Sequence, residues 1–394
     1  MRQKLRALIK YGAFAIIFIG STWLQGCTKE IDHLVTAGRL DNFEAHTETI
    51  PEFAIVDTAT ATYPTSAPTT TATPEPTPSN GPTRVSNIEH DAGPEFPERF
   101  VPETMKSGVS PVAYLPSACQ YLENRWGEDK STPGTVVVPI MFHSIVSPGR
   151  QISDTTSISM AYFEYFMETA VELGFSTITS QQLVDFLKYN QAIPERSMLL
   201  ILDDRRPGVT ELFMPYLEEQ NWTLTLGWIA TDSTRDSVWE TMTSLASTGR
   251  LDVQSHGYNH IYIQDYTTTE QIKEELYQPI EVIEARFGKR PIAHVWPGGN
   301  FDARAVAIAV EAGYQIGFTV YSRGPIMYNW IPLGEPEMSM ETPLLVLPRF
   351  WSTAAVQALN EAVMVSDAAR EYAKSVDEAE REYYYYYCYA KGSE

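Results

Sequence analysis

The sequence predicts an α/β protein built as a compact or incomplete β/α barrel of seven to eight units. Three observations carry this. Short β-branched runs alternate with longer amphipathic segments between residues 135 and 350, the strand candidates are apolar enough to be buried on both faces, and no GxGxxG or GxxxxGK follows any of them. The first two argue for a parallel sheet wrapped by helices, and the third argues against an open sheet with a phosphate loop.

The strand candidates are Val136 to Phe142, Phe175 to Ile178, Met198 to Leu202, Thr223 to Ile229, Leu251 to Gln254, Ile292 to Val295, Tyr314 to Val320 and Leu344 to Leu347. Helical periodicity fills the gaps at Ala161 to Leu173, Ser180 to Tyr189, Val209 to Glu219, Ser237 to Ser247, Thr269 to Phe287 and Ala303 to Ala312. Ser180 and Asp302 are the expected N-caps of their helices. Beyond the barrel, residues 351–394 form a tail in which Ala354 to Lys391 reads as helix, with no Pro and no Gly. Its run Tyr383 to Tyr387, with Tyr389, covers every face of such a helix and reads as a low-complexity tail or packing cover.

The N-terminal third has a different composition. Arg2, Lys4, Arg6 and Lys10 precede an apolar stretch from Tyr11 to Trp23 that is shorter than the roughly 20 residues of a membrane span. Residues 1–26 thus read as an export signal, and the Gly26-Cys27 that follows resembles the lipobox of bacterial lipoproteins. That resemblance implies lipidation of Cys27 and an extracytoplasmic chain anchored at the outer face of the membrane. Loss of the four basic residues would move the net charge from −21 to −25. After a mature N-terminal segment, residues 27–58, comes a stretch with nine Thr and six Pro in residues 59–83, an extended tether able to reach roughly 80 Å in polyproline geometry. Residues 84–134 read as a Pro-interrupted lead-in to the barrel. Cys119 and Cys388 could pair in an oxidising compartment, although nothing in the sequence requires it.

Composition excludes some functions. With 50 Asp and Glu against 29 Lys and Arg, no broad cationic face exists to grip nucleic acid. Attention falls instead on the strand ends, where a β/α barrel carries its chemistry. Val136 to Phe142 runs into His143, and Met198 to Leu202 runs into Asp203 and Asp204. Leu251 to Ser255 runs into His256, with His260 four residues on, and Ile292 to Trp296 runs into Pro297-Gly298-Gly299. On one helical turn His256 and His260 would project from one face and share a metal. A carboxylate from a second strand end would complete a three-ligand site with a position open for water. Two adjacent carboxylates closing an apolar strand are costly to bury unless a cation or hydrogen bonds compensate them. Along a strand they would point to opposite faces, which disfavours a glycoside hydrolase with both flanking one bond.

The fragments MFHSIV (141–146), LILDDRRPG (200–208), SHGYNH (255–260), VWPGGN (295–300) and LPRF (347–350) resemble, in order and spacing, the polysaccharide deacetylases, the NodB-like carbohydrate esterases of family four. The nearest likeness is to the exported branch that deacetylates poly-N-acetylglucosamine. The resemblance spans residues 135–350 and implies the NodB-like deacetylase fold. It also implies that Asp204, His256 and His260 bind a divalent metal, usually zinc (Zn2+), that Asp203 is the general base, and that His143 is the general acid. Metal and backbone N–H groups near Gly298 would stabilise the oxyanion, Trp296 belongs to the same substrate-facing motif, and Arg349 would orient Asp203. The implied substrate is an N-acetylated polysaccharide.

Three departures from the family pattern stand out. Arg205, Arg206 and Pro207 intervene before Gly208, where the family continues Asp-Asp with Gly and an aromatic. A strained backbone is expected at Arg205, and the two guanidiniums could compete with a metal for the carboxylates. Gly298 replaces an aromatic, and Gly257 a hydroxyl residue. These departures motivate a second reading, a degenerate domain that binds surface glycan without hydrolysis.

Overall fold

The computed structural model describes residues 93–389, so the expected signal, Cys27, the 27–58 segment and the tether lie outside the described residues. The main sheet is all parallel. Its strands are β1 (Val136–Phe142), β2 (Ser176–Thr177), β3 (Arg196–Asp203), β4 (Leu224–Trp228), β5 (Leu251–Ser255), β6 (Ala293–Val295), β7 (Ile316–Phe318) and β8 (Phe350–Trp351). Their order is β7-β6-β5-β4-β3-β1-β8, with β2 paired beside the start of β3. The sheet curls into an incomplete barrel of seven strands, as expected.

The curl is visible in the last segment. Leu347 donates its N–H to Gly317 O at 2.8 Å and accepts from Thr319 at 2.9 Å, while Phe350 and Trp351 pair with Ile140 and Met141 of β1. One stretch therefore bonds to both edges. The expected strand from Leu344 to Leu347 is displaced to β8, because Pro343 opens a 3-10 turn over Pro343–Leu345 and Pro348 has no N–H for a ladder.

Alternation along β1 and β3 divides the core. Val136, Val138, Ile140 and Phe142 pack with Leu200, Leu202 and the helical residues Phe163, Phe166, Phe213 and Leu359. On the other face Val137, Leu199 and Ile201 pack with Phe318, Ile326 and Leu347. The helices are α1 (Ala118–Glu123), α2 (Met160–Glu172), α3 (Ser180–Tyr189), α4 (Pro207–Gln220), α5 (Asp236–Ala246), α6 (Thr269–Phe287), α7 (Ala303–Ala312) and α8 (Ala355–Tyr383). Asp302 caps α7 by accepting from Ala305 N at 2.8 Å. The cap of α3 is Thr179 and not Ser180: Thr179 and Gln182 form a reciprocal capping box, and Ser180 is the first helical residue.

Residues 93–134 pack on the segment that follows β7. Ser110–Val112 pairs antiparallel with Ile331–Leu333, and Phe100 O accepts from Trp330 Nε1 at 2.8 Å. The C-terminal helix α8 buries a face of small residues, Ala355, Ala358, Ala362, Ser366 and Ala369, which allows close approach to the chain entering β1; Ser366 Oγ donates to Gly134 O at 2.6 Å. Past α8 the tyrosine run widens into a π-helical turn, Tyr384–Tyr389. It packs as cover, with Tyr383 against Phe96 and Tyr384 against Trp126. A disulfide between Cys119 and Cys388 fastens this turn to α1.

Candidate active site and metal centre

Parallel strands bring His143, Asp203, His256 and Trp296 to one end of the sheet. Asp203 is the last residue of β3 and is buried. Arg349 Nη1 donates to both its oxygens at 2.9 Å and Arg349 Nε donates to Thr319 O at 2.7 Å. Burial alone would raise the Asp203 carboxyl, but the Arg349 guanidinium, through its charge and its hydrogen bonds, outweighs burial and holds the group below the usual carboxylate range. Asp203 is thus an ionised acceptor at neutral pH. His143 Nε2 stands 3.6 Å from Asp203 Oδ2, and its ring lies parallel to that of Trp351 at a 6.0 Å centroid distance.

Asp204 leaves the strand. Its φ of +70° turns the side chain off the β3 alternation, so the two carboxylates are not on opposite faces of one strand as the sequence argument assumed. Arg205 is absent from the left-handed residues, so the strain expected there falls on Asp204. Asp204 Oδ1 lies 3.8 Å from His256 Nε2 and 3.8 Å from His260 Nε2.

The two histidines converge through a loop and not through the helical turn their spacing predicted. Gly257 has φ +81° and His260 φ +60°, which reverses the chain between them. Glu275, buried on α6, holds that loop by accepting the backbone N–H groups of Tyr258, Asn259 and Ile261 at 3.1, 2.6 and 3.2 Å. Burial raises the Glu275 carboxyl, and these three donors offset part of the shift. A Cβ at Gly257 would stand 2.3 Å from Glu275 Oε2, which explains why no hydroxyl residue occupies that position.

The donor set fits a transition metal. His256 Nδ1 contacts Val295 O at 2.8 Å, which places the ring proton there and leaves the Nε2 lone pair free. That atom faces His260 Nε2 at 3.2 Å, and the ligand atoms of Asp204, His256 and His260 all lie within 4.8 Å of one another. Burial, opposed in part by Asp203, pulls His256 down to about 4, so the imidazole is neutral and available as a ligand. Burial lowers His260 also. Two imidazole nitrogens and one carboxylate oxygen suit zinc and its neighbours better than calcium or magnesium.

The family model described as polysaccharide deacetylase matches residues 190–317. That stretch runs from the end of α3 through β3 and both histidines to β7, so the likeness to the polysaccharide deacetylases covers the candidate metal ligands. The chain is 22% identical over 185 residues to YxkH of Bacillus subtilis, a protein assigned provisionally as a polysaccharide deacetylase, covering 46% of this chain and 63% of that one. Among solved structures it is similar to the Streptococcus pyogenes deacetylase PplD in complex with acetate, at 17% identity and TM-score 0.49, over 59% of this chain and 99% of that one. It is also similar to IcaB from Ammonifex degensii, at 17% identity and TM-score 0.45, over 61% of this chain and 100% of that one.

Within the site the departures from the family pattern now have partners. Arg206 Nε and Nη2 donate to Asp204 Oδ2 at 3.0 and 2.6 Å, and Arg205 donates to Thr234 Oγ1. Neither guanidinium hydrogen-bonds to the Asp204 oxygen that faces the histidines. Gly298 is exposed and has φ +62°, and a Cβ there would meet the Tyr262 ring at 3.0 Å. Tyr262, itself exposed and 5.4 Å from the His260 ring, thus fills space beside the turn where the family carries its aromatic. The N–H groups of Gly299 and Asn300 are committed to Trp296 O and Pro297 O at 2.8 and 3.2 Å. Trp296 is fully buried and its indole donates to Leu345 O at 2.7 Å, so it supports the turn and cannot touch a polymer.

Two contributors escaped sequence reasoning. Glu275 is one acid among many on α6. Gly227 lies opposite Asp203 on β4, where a Cβ would come within 3.0 Å of Asp203 Oδ1; a lone Gly inside the apolar run Leu224–Trp228 was the available signal.

Proposed function

We propose that the chain is a metal-dependent hydrolase that removes N-acetyl groups from an N-acetylhexosamine polysaccharide at the cell surface. The observation that carries this reading is the convergence of Asp204, His256 and His260 beside an Arg349-held Asp203 and a nearby His143, on one end of the sheet. A divalent cation on the three ligands, zinc by their chemistry, would supply Lewis-acid polarisation of the amide carbonyl and lower the pKa of water. Asp203, kept ionised by Arg349, takes up the proton of the attacking water. His143, braced against Trp351, delivers a proton to the leaving amine. Backbone donation to the developing oxyanion rests on the N–H of Gly298, since those of Gly299 and Asn300 are committed within the turn. Tyr262, exposed beside the turn, offers a face to a sugar ring. A catalytically degenerate glycan binder is the weaker reading, because Arg205 and Arg206 hydrogen-bond away from the oxygen that faces the imidazoles.

The export pattern, Cys27 and the Thr/Pro-rich stretch support action at the outer face of a membrane, and the acidic net charge of −21 leaves nucleic acid an unsuitable partner. The test is acetate release from N-acetylglucosamine oligomers. Release is expected from the purified protein, lost on chelation, restored by zinc and absent in Asp203→Asn. Glycan binding with neither metal content nor acetate release would support the degenerate reading instead.

A further inference from the structure

Arg206 stands where the deacetylase pattern has no guanidinium, and its geometry is unusually lopsided. Two of its N–H groups close on one oxygen, Asp204 Oδ2, at 3.0 Å from Nε and 2.6 Å from Nη2. Its Nη1 donates to Ser144 Oγ at 2.6 Å, which pins the guanidinium to the residue after His143. The other oxygen, Oδ1, faces both histidines at 3.8 Å. The carboxylate is therefore divided between two tasks. For both oxygens to chelate one cation, Oδ2 would have to release two charge-assisted hydrogen bonds.

We infer that Arg206 is a positioning residue: it restricts Asp204 to one oxygen toward the cation and, as a fixed positive charge, weakens the site's hold on that cation. This rests on the metal reading of Asp204, His256 and His260. The two effects separate by chemistry. The restraint depends on the planar fork, whereas the repulsion depends only on charge. Lys keeps the charge and loses the fork; Gln loses the charge and has no fork. The guanidinium side chain is 36% exposed, so solvent screens the repulsion and the change in affinity is expected to be moderate.

The experiment measures zinc affinity against a chromophoric competitor and records the visible absorption of the cobalt-loaded protein, for wild type, Arg206→Gln and Arg206→Lys, with circular dichroism confirming the fold. In both variants the cobalt bands should weaken as Asp204 gains freedom to chelate through both oxygens. Zinc affinity should rise about tenfold in Arg206→Gln and stay near wild type in Arg206→Lys. Wild-type bands in Arg206→Gln, or unchanged or weaker zinc binding in it, would overturn the inference. If wild type itself takes up neither zinc nor cobalt, the metal reading beneath it is what fails.

Discussion

A carboxylate as buried as Asp203 survives in ionised form only because Arg349 meets both its oxygens. The dependence runs both ways, since Arg349 is itself fully buried. Removing the guanidinium leaves burial as the dominant influence, so the Asp203 carboxyl should move from below its ordinary value to above it. The sign follows from linkage: in wild type this group contributes stability above the unfolded-state value near 3.9, and that contribution is lost as pH falls. In Arg349→Met the stranded charge should cost about 3–5 kcal/mol at pH 7. The cost should shrink near pH 4, where the carboxyl can protonate. Urea denaturation at both pH values measures this, and an equal loss at both would show that Asp203 is not held by Arg349. Asp203, Asp204 and the two histidines were legible because acidic and imidazole side chains at the ends of apolar strands need a reason to be there. Glu275 and Gly227 were not, because their roles are defined by the atoms they meet across space, and neither breaks a local pattern strongly.

At the scale of elements, the sequence located most strands and helices to within two residues, because period and capping are local. The errors fell where tertiary bonding overrides period. Leu344 to Leu347 has the composition of a strand, yet two prolines break its ladder and the pairing moves to Phe350 and Trp351. His256 and His260 have helical spacing, yet the segment is a loop organised from outside by Glu275. This loop yields a test of its own. Gly257 combines a left-handed φ with a forbidden approach to Glu275, so Gly257→Ala must displace either the carboxylate or the His260 side of the loop. The expected result is a folded protein whose zinc content falls at least tenfold, read by elemental analysis beside circular dichroism. Full zinc occupancy in Gly257→Ala would mean that the loop does not set the position of His260.

At the scale of the whole molecule, the proposed location outside the cytoplasm can be tested at both ends of the chain. The Cys119–Cys388 disulfide joins residues 269 apart in sequence and fastens the end of the C-terminal helix to α1. Such a bond persists in an oxidising environment and is rare in a reducing cytosol. At the other end, the basic and apolar pattern of residues 1–26 with Cys27 is the basis for the proposed export and lipidation signal, and a Thr/Pro-rich stretch follows it in the sequence. The proposed anchor and the disulfide use different cysteines, so each can be tested without disturbing the other. In fractionated cells the wild-type protein should sit in the membrane fraction with Cys119 and Cys388 unreactive toward a thiol reagent until reduced. Cys27→Ser should blunt membrane retention, and any exported mutant protein should still carry both thiols blocked. Unchanged retention of Cys27→Ser would remove the lipid anchor. Free thiols in the wild-type protein would instead place the chain in a reducing compartment, where a polymer at the cell surface is out of reach.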